Sequence, residues 1–514
     1  MAAEASPLQA AKALVDAGRW DQAEPLLRQL VEQQPQAAAL HYLLGLVLAN
    51  TGRLVEAAQA FGTASYCEPG LVAAWLNQAT ALQHAVELHP RQPPLLLSAG
   101  RAAIRQERWV QAQAWLEQAL SLGGPNADAL AHLGIALLEQ GQHHQALAVL
   151  QQAVALDGSS LHARFHLALA LKDAQQLELA LEQLEAVAAA DPHYPGLHGN
   201  RAIVLFLLGR YREGWQEYAW RFQETPQILQ LPPLPRWAPG AGRVGRLLVL
   251  AEQGLGDSFQ FLRYLGPLAE RAEQIRCVLQ PALVPLVQRA FPAVEVLPGP
   301  WNEGHLEGVE AWLPLLSAAE HLEVSPSSPL VVEPYLTAPP AAIATWRERL
   351  GPPRGKRVAL VWQGNPEAER GHQRGRSLPL QALEPWLEAP DLEWISLQRG
   401  PGAEQLDALG WRSRFHPLQA EIDPVWEFEQ VAAILHSCDL LISTDTAITH
   451  LAGALGLPAL LLLKWTPDWR WGLHGERSFW YPSHRLVRQW EGESWDQTVQ
   501  RLLDQGLLHK PATV

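Results

Sequence analysis

A helical repeat array followed by two tandem doubly wound α/β units is the fold class this sequence predicts, on three observations. Proline and glycine markers recur at steps of 34 residues: Pro35 to Pro69, Gly124 to Gly158, Gly158 to Pro192. From Leu247 onward, short apolar runs alternate with helical patterns. Between these regimes, Leu247-Leu248-Val249-Leu250-Ala251 reads as a buried strand that enters the glycine turn Gly254-Leu255-Gly256 and ends on Asp257. A chain of 514 residues is too long for one core, and at roughly 100–200 residues per domain it should hold about three.

Within the first region, Gly45, Gly52, Ala57 and Pro69 align with Gly134, Gly141, Ala146 and Ala153, and with Ala168, Ala180 and Pro192. Small residues recur where paired helices must touch, and proline or glycine recurs where each pair ends. The period resembles that of the tetratricopeptide repeat, over about Pro7 to Phe222. One stretch departs from it: Pro69 to Gly124 is 55 residues, one period and 21 more, so a degenerate repeat or inserted turn is expected around Gln83 to Pro94. Arrays of stacked helix pairs commonly receive an extended peptide or another protein; support of the second half, or self-association into a homo-oligomer, is the plainer reading.

Composition narrows the function classes. The 48% hydrophobic and 18% charged content is that of a globular protein. A formal net charge of −14 argues against a nucleic-acid binder working by bulk electrostatics. Cys67, Cys277 and Cys438 are widely separated and read as small buried apolar residues, not as a disulfide framework or thiolate metal site. The start Met1 to Pro7 lacks a basic, apolar leader pattern, and the most apolar stretch, Asp439 to Lys464, is interrupted by Asp445, His450 and Pro458. A cytoplasmic protein with no membrane span is expected.

A proline-rich linker, Pro226 to Pro239, precedes the second half. Strands are expected at Leu247–Ala251, Ile275–Leu279 and Val294–Leu297, with helices near Ser258–Ala272 and Ala282–Ala290. A second set follows Arg354: strands Val358–Trp362, Trp394–Leu397, Leu440–Ser443 and Ala459–Leu463, with helices near Leu380–Glu388, Val425–His436 and Ala447–Leu455. Tandem units of this kind place ligands at the carboxyl ends of their strands.

The ordered set Gly254-Leu255-Gly256-Asp257, Trp362-Gln363-Gly364-Asn365-Pro366, Arg376-Ser377-Leu378-Pro379 and Ser443 through Gly453 resembles glycosyltransferase family 9, the heptosyltransferase type, over about Leu247 to Leu503. That resemblance implies the GT-B fold of two Rossmann-like domains and inverting transfer of sugar from a nucleotide donor. It implies no metal and no cofactor beyond the nucleotide-sugar substrate. The implied domains are 1–225 for the repeats, 226–350 for the acceptor side and 351–514 for the donor side.

Asp257 lies where the family has its catalytic carboxylate, with helix capping as the alternative role. Donor binding is expected at Gln363, Asn365, Arg376, Ser377, Thr444, Asp445, Thr446, Ala447, His450, Gly453 and Lys464. Arg376 would grip the diphosphate, and the amides opening the helix after Ser443 would assist it. His450 could equally be a buried histidine bonded to a carbonyl, and Asn365 could instead hold its own turn. Gly254, Gly256, Gln260, Trp465, Trp469 and Arg470 are expected around the acceptor cleft, the tryptophan loop reading otherwise as a packed turn. An arginine stands in a setting unlike that of the lysine common in lipopolysaccharide heptosyltransferases, so the donor need not be a heptose.

The implied function is glycosyl transfer to a hydroxyl, on a protein recruited by the array. Transfer to a lipid-linked or surface glycan is the second reading, and a non-catalytic scaffold with a degenerate transferase domain the third.

Overall fold

The computed structural model describes residues 7–225, 229–369 and 374–507. Pro226, expected to open the linker, and the Met1 to Ser6 start lie outside the described residues. The chain divides into two compact units, Met1–Pro192 and His193–Val514.

In the first unit, helices pair as the repeat pattern requires: Ala38–Asn50 with Leu54–Cys67, Pro93–Arg105 with Trp109–Gly123, Ala127–Glu139 with His143–Leu156, and Leu161–Asp173 with Leu177–Ala190. The repeated glycines have a steric cause. A Cβ on Gly45 would stand 2.6 Å from the Phe61 ring, and one on Gly134 would stand 2.4 Å from Leu150, so the two helices could not close. Between the two helices of a pair, Gly52 and Gly141 turn the chain at φ +79° and +74°, a conformation that costs other residues energy. The irregular stretch is a single helix, Val72–Leu88, where the repeat elsewhere supplies two. It packs on Leu54–Cys67 as a second helix packs on a first, with Gln78 placed against Gly62.

The second unit opens with three further helices, Leu197–Leu207, Tyr211–Tyr218 and Arg221–Glu224. Apolar packing fastens them there: Phe206 stacks on Trp469 with centroids 4.3 Å apart, and the Trp215 indole N–H donates to the Val324 carbonyl at 2.9 Å. Two parallel sheets follow. The first contains β1 (Val244–Leu250), β2 (Ala272–Leu279), β3 (Glu295–Pro298) and β4 (Ala311–Pro314) in the order β3-β2-β1-β4. The second contains β5 (Lys356–Val361), β6 (Leu392–Ser396), β7 (Leu440–Ser443), β8 (Ala459–Leu463) and β9 (His484–Arg488) in the order β6-β5-β7-β8-β9. Each order reverses beside its first strand, opening a crevice at the carboxyl ends of β1 and β4 and another at those of β5 and β7.

Seven of these strands were expected; β4 and β9 were not. Ala-Trp-Leu-Pro runs without a polar break into the apolar Leu315–Ser317 turn, and His-Arg-Leu-Val-Arg is too polar to read as a strand until its burial against β8 is seen. The helix expected through Ala272 stops at Ala269, because β2 already begins at Ala272. Cys277 is buried in β2, whereas Cys67 and Cys438 are only half-buried. Among the described residues, no helix is long and apolar enough to cross a membrane, and no group of three or more metal-ligating side chains is assembled.

His484, at the start of β9, has a pH consequence. Burial pushes its imidazole down to about 4 from an ordinary 6.5, while Nε2 lies 3.0 Å from the Thr449 carbonyl oxygen. The unfolded chain takes up this proton near the ordinary value and the folded chain does not. The contribution is therefore complete above pH 6.5 and is lost as pH falls towards 4. A shift of that size corresponds to about 3 kcal/mol at most. Thermal unfolding of the second unit should lose midpoint steadily between pH 7 and 4.5, and His484→Gln should flatten that slope; an unchanged slope would assign the acid sensitivity to other groups.

Candidate active site

A cavity of about 970 Å³ lies within the second unit at the carboxyl ends of β1, β5 and β7. Three chain turns bring chemistry to it. After β1, Gly254 opens the helix Leu255–Phe261, and Asp257 is its third residue. Asp257 Oδ2 accepts the Gly254 N–H at 3.0 Å, and Oδ1 accepts from Arg470 Nη2 at 2.5 Å. Its side chain remains 23% exposed, on the cavity wall. Thus the capping role and a place in the cavity coexist: a carboxylate offers about four acceptor sites, and two are occupied here.

Arg470 turns its buried guanidinium to acids. Nη1 donates to Asp468 at 2.9 Å, Nε to Gln260 at 2.7 Å, and the group lies over the Trp469 ring at 4.6 Å. Burial works against its charge, but Asp468 and Asp257 outweigh burial and hold its pKa above the ordinary arginine range. Gripped by two carboxylates, Arg470 fixes Asp257 in place on the cavity wall. Gln260 also departs from its expected place at the cleft: it is fully buried and absent from the cavity wall, because its amide oxygen is bonded to Arg470.

After β7, the helix Ala447–Ala454 presents its first turn to the cavity through Thr446, Ala447 and Ile448. Opening amides of a helix have no intrahelical partner and favour an anion. Asp445 and His450 share that wall, with His450 Nε2 3.6 Å from Asp445 and Nδ1 3.0 Å from the Tyr481 hydroxyl. Gly256 lets the two site helices meet, since a Cβ there would stand 3.0 Å from His450 Cδ2. Gly453 and Thr444 lie off the wall. Gly453 is occupied by packing, a Cβ there falling 2.2 Å from the Tyr481 ring, and Thr444 is buried with its carbonyl accepting from Ser443 and Thr449.

The third turn follows β5. Gln363, Gly364, Asn365 and Arg376 line the cavity, with Arg376 Nε 3.6 Å from Glu369 Oε1 and its guanidinium close over Gly364. The Asn365 side chain accepts from the Glu367 amide at 3.1 Å, the turn-holding role. Ser377 stands behind the wall, accepting the Gly364 N–H at 2.8 Å and donating to Glu369. Lys464 and Trp465 are also off the wall; Lys464 Nζ donates to the Arg374 carbonyl at 2.8 Å, so this cation braces the Arg376 loop. Trp469 does line the cavity.

Several wall residues carried no sequence signal. Arg399 is held by the carbonyls of Gln398, Val425 and Ile422, with Trp426 beside it 60% exposed. Burial depresses the Arg399 pKa. Asn200, Tyr218 and Arg221 come from the helices that end the repeat pattern, and the Tyr218 hydroxyl accepts from Gln253 Nε2 at 2.7 Å. An aromatic-rich helix end reads as packing until its neighbours are known.

Comparisons with known proteins agree with this architecture. Residues 8–68 match a tetratricopeptide repeat model, residues 79–187 the model for anaphase-promoting complex, cyclosome, subunit 3, and residues 402–506 glycosyltransferase family 9 (heptosyltransferase). Protein FlbA of Caulobacter vibrioides is 30% identical over 334 residues, 59% of this chain and 53% of that protein, so the match spans about half the relative's length. Among solved structures, YrrB, described as a TPR protein with an unusual peptide-binding site, is 22% identical over 39% of this chain and 93% of its own, with a TM-score of 0.25. MamA is 18% identical over 30% of this chain and 91% of its own, with a TM-score of 0.27. The chain joins tetratricopeptide repeats to a glycosyltransferase family 9 domain.

Proposed function

We propose that the second unit is an inverting, metal-independent glycosyltransferase that takes sugar from a nucleotide donor to a hydroxyl on a protein recruited by the repeats. The observation that carries this reading is one cavity wall holding Asp257, the amide-rich start of Ala447–Ala454, and Arg376. In the reaction, the acceptor oxygen bonds to the anomeric carbon as its proton passes to Asp257. The bond from that carbon to phosphate breaks, and its electrons leave with the nucleoside diphosphate. A helix start alone favours an anion by about 0.3–1 kcal/mol, up to ~2 when partly buried, so the leaving diphosphate needs a cation as well. Arg376 supplies it, with a planar fork suited to two phosphate oxygens.

A thermal-shift screen of the full chain against UDP-, GDP-, ADP-, CMP- and dTDP-sugars tests this reading. A ligand at 100 times its Kd stabilises the folded state by about 2.7 kcal/mol. One nucleotide class should raise the midpoint, and Arg376→Ala should remove most of the rise. No shift with any donor would leave the scaffold reading in its place.

A further inference from the structure

Within the first unit, the solitary helix Val72–Leu88 leaves a surface that a paired helix would cover. In each regular repeat two helices fill 34 residues, whereas the stretch between Pro69 and Gly124 supplies only 21 beyond one full period. Val72 and Leu76, one turn apart, are 63% and 52% exposed. Together with Trp75 and with Ala102 and Arg105 of the neighbouring helix Pro93–Arg105, they line a groove of about 670 Å³.

Charge narrows what the groove can take. The Arg105 guanidinium lies over the Trp75 ring at 4.4 Å and donates to Gln78 at 3.5 Å; neither partner neutralises it. Among the described residues it forms no ion pair, whereas Arg101, one turn back, is 3.4 Å from Asp128. A cation laid against an apolar floor gains most from an incoming carboxylate, since interfacial burial of an unpaired charge is costly. The two exposed apolar residues, at i and i+4, form the edge to which another helix's apolar stripe fits.

We propose that this groove receives an amphipathic helix of a partner protein, carrying apolar residues at i and i+4 and a carboxylate opposite Arg105, in the place of the repeat helix that the chain lacks. The proposal is independent of the sugar-transfer reading, because no residue of the groove belongs to the second unit.

The test is a displayed library of helical peptides, randomised on one face, selected on the full chain. Selected sequences should carry large apolar residues at i and i+4 with Asp or Glu beside them. Their affinity should fall at least tenfold on Leu76→Glu, and on Arg105→Glu the charge preference should reverse from acidic to basic peptides. Both substitutions are at exposed positions, and unchanged melting midpoints will show that the variants are folded. Failure to enrich any helical peptide, enrichment of basic or proline-broken sequences, or affinity indifferent to Leu76→Glu would each overturn the proposal. So would a concentration-dependent dimer of the chain that Leu76→Glu dissociates, because the occupant would then be a second copy.

Discussion

Replacing Asp257 by asparagine should lower sugar transfer by about 10²–10⁴-fold, the usual contribution of a positioned general base, while the thermal shift caused by the nucleotide donor stays close to that of the parent. The geometry keeps the local fold supported, although the asparagine NH2 then faces the Arg470 guanidinium donor to donor. Asparagine keeps an oxygen able to accept the Gly254 N–H, so the start of Leu255–Phe261 retains its cap. Arg470 loses one carboxylate partner but keeps Asp468 at 2.9 Å and Gln260 at 2.7 Å, so its charge is not left alone in the interior. What disappears is the group that takes the acceptor proton. Loss of transfer with donor binding retained therefore isolates the chemical step. Unchanged turnover would return Asp257 to a capping role and Arg470 to a purely structural one, and loss of both transfer and donor binding would place Asp257 in the donor site instead.

What the sequence disclosed, and what it did not, follows from the range of the interactions. The turn at Gly254–Asp257 and the helix start at Thr446–Ala447 are local: a strand, a glycine and a cap stand within a few residues, and the pattern suffices to find them. The glycines that pair the repeat helices are equally legible, because the helix that excludes a Cβ follows closely in the chain, as Phe61 follows Gly45. Arg470 is different. Its partners Asp257 and Gln260 are more than 200 residues away in sequence, and nothing in Trp469-Arg470-Trp471 distinguishes an arginine that grips two acids from one that faces phosphate. The bond that turns Lys464 from the cavity wall is hidden for the same reason: the Arg374 carbonyl that it meets is a backbone atom with no sequence signature. Arg399 and Trp426 gave no signal because three backbone carbonyls and an exposed ring make a wall only after the sheet has folded. Even the repeat irregularity was visible as a count of residues, whereas its form, a single helix with an open side, required the packing.

Arg221→Met should destabilise the second unit by about 3–5 kcal/mol, because it strands a buried carboxylate. Arg221 Nη2 donates to Glu252 Oε1 at 2.7 Å and to Ser317 Oγ at 2.8 Å, and Nη1 donates to the Tyr218 carbonyl at 2.9 Å. The Glu252 side chain has no exposure. Burial already raises its pKa, with Arg221 the main group pulling the other way, so removal of the arginine leaves burial opposed only by the Leu316 N–H and by Arg236, and the carboxyl takes up a proton more readily. The sign of the pH effect follows. A folded state that binds the Glu252 proton more tightly than the unfolded chain loses stability as pH rises above the ordinary glutamate value of 4.5 towards the raised folded one. The difference between variant and parent, taken at each pH so that the opposite trend from His484 cancels, should therefore be smallest near pH 4.5 and widest at neutrality. Adding Glu252→Gln to the variant should recover most of the loss at pH 7, since no charge is then left without a partner. A deficit that ignores pH, or a double variant as unstable as the single one, would mean that Arg221 stabilises the unit through its bonds to Ser317 and Tyr218 and its place over the Phe222 ring, and not through Glu252.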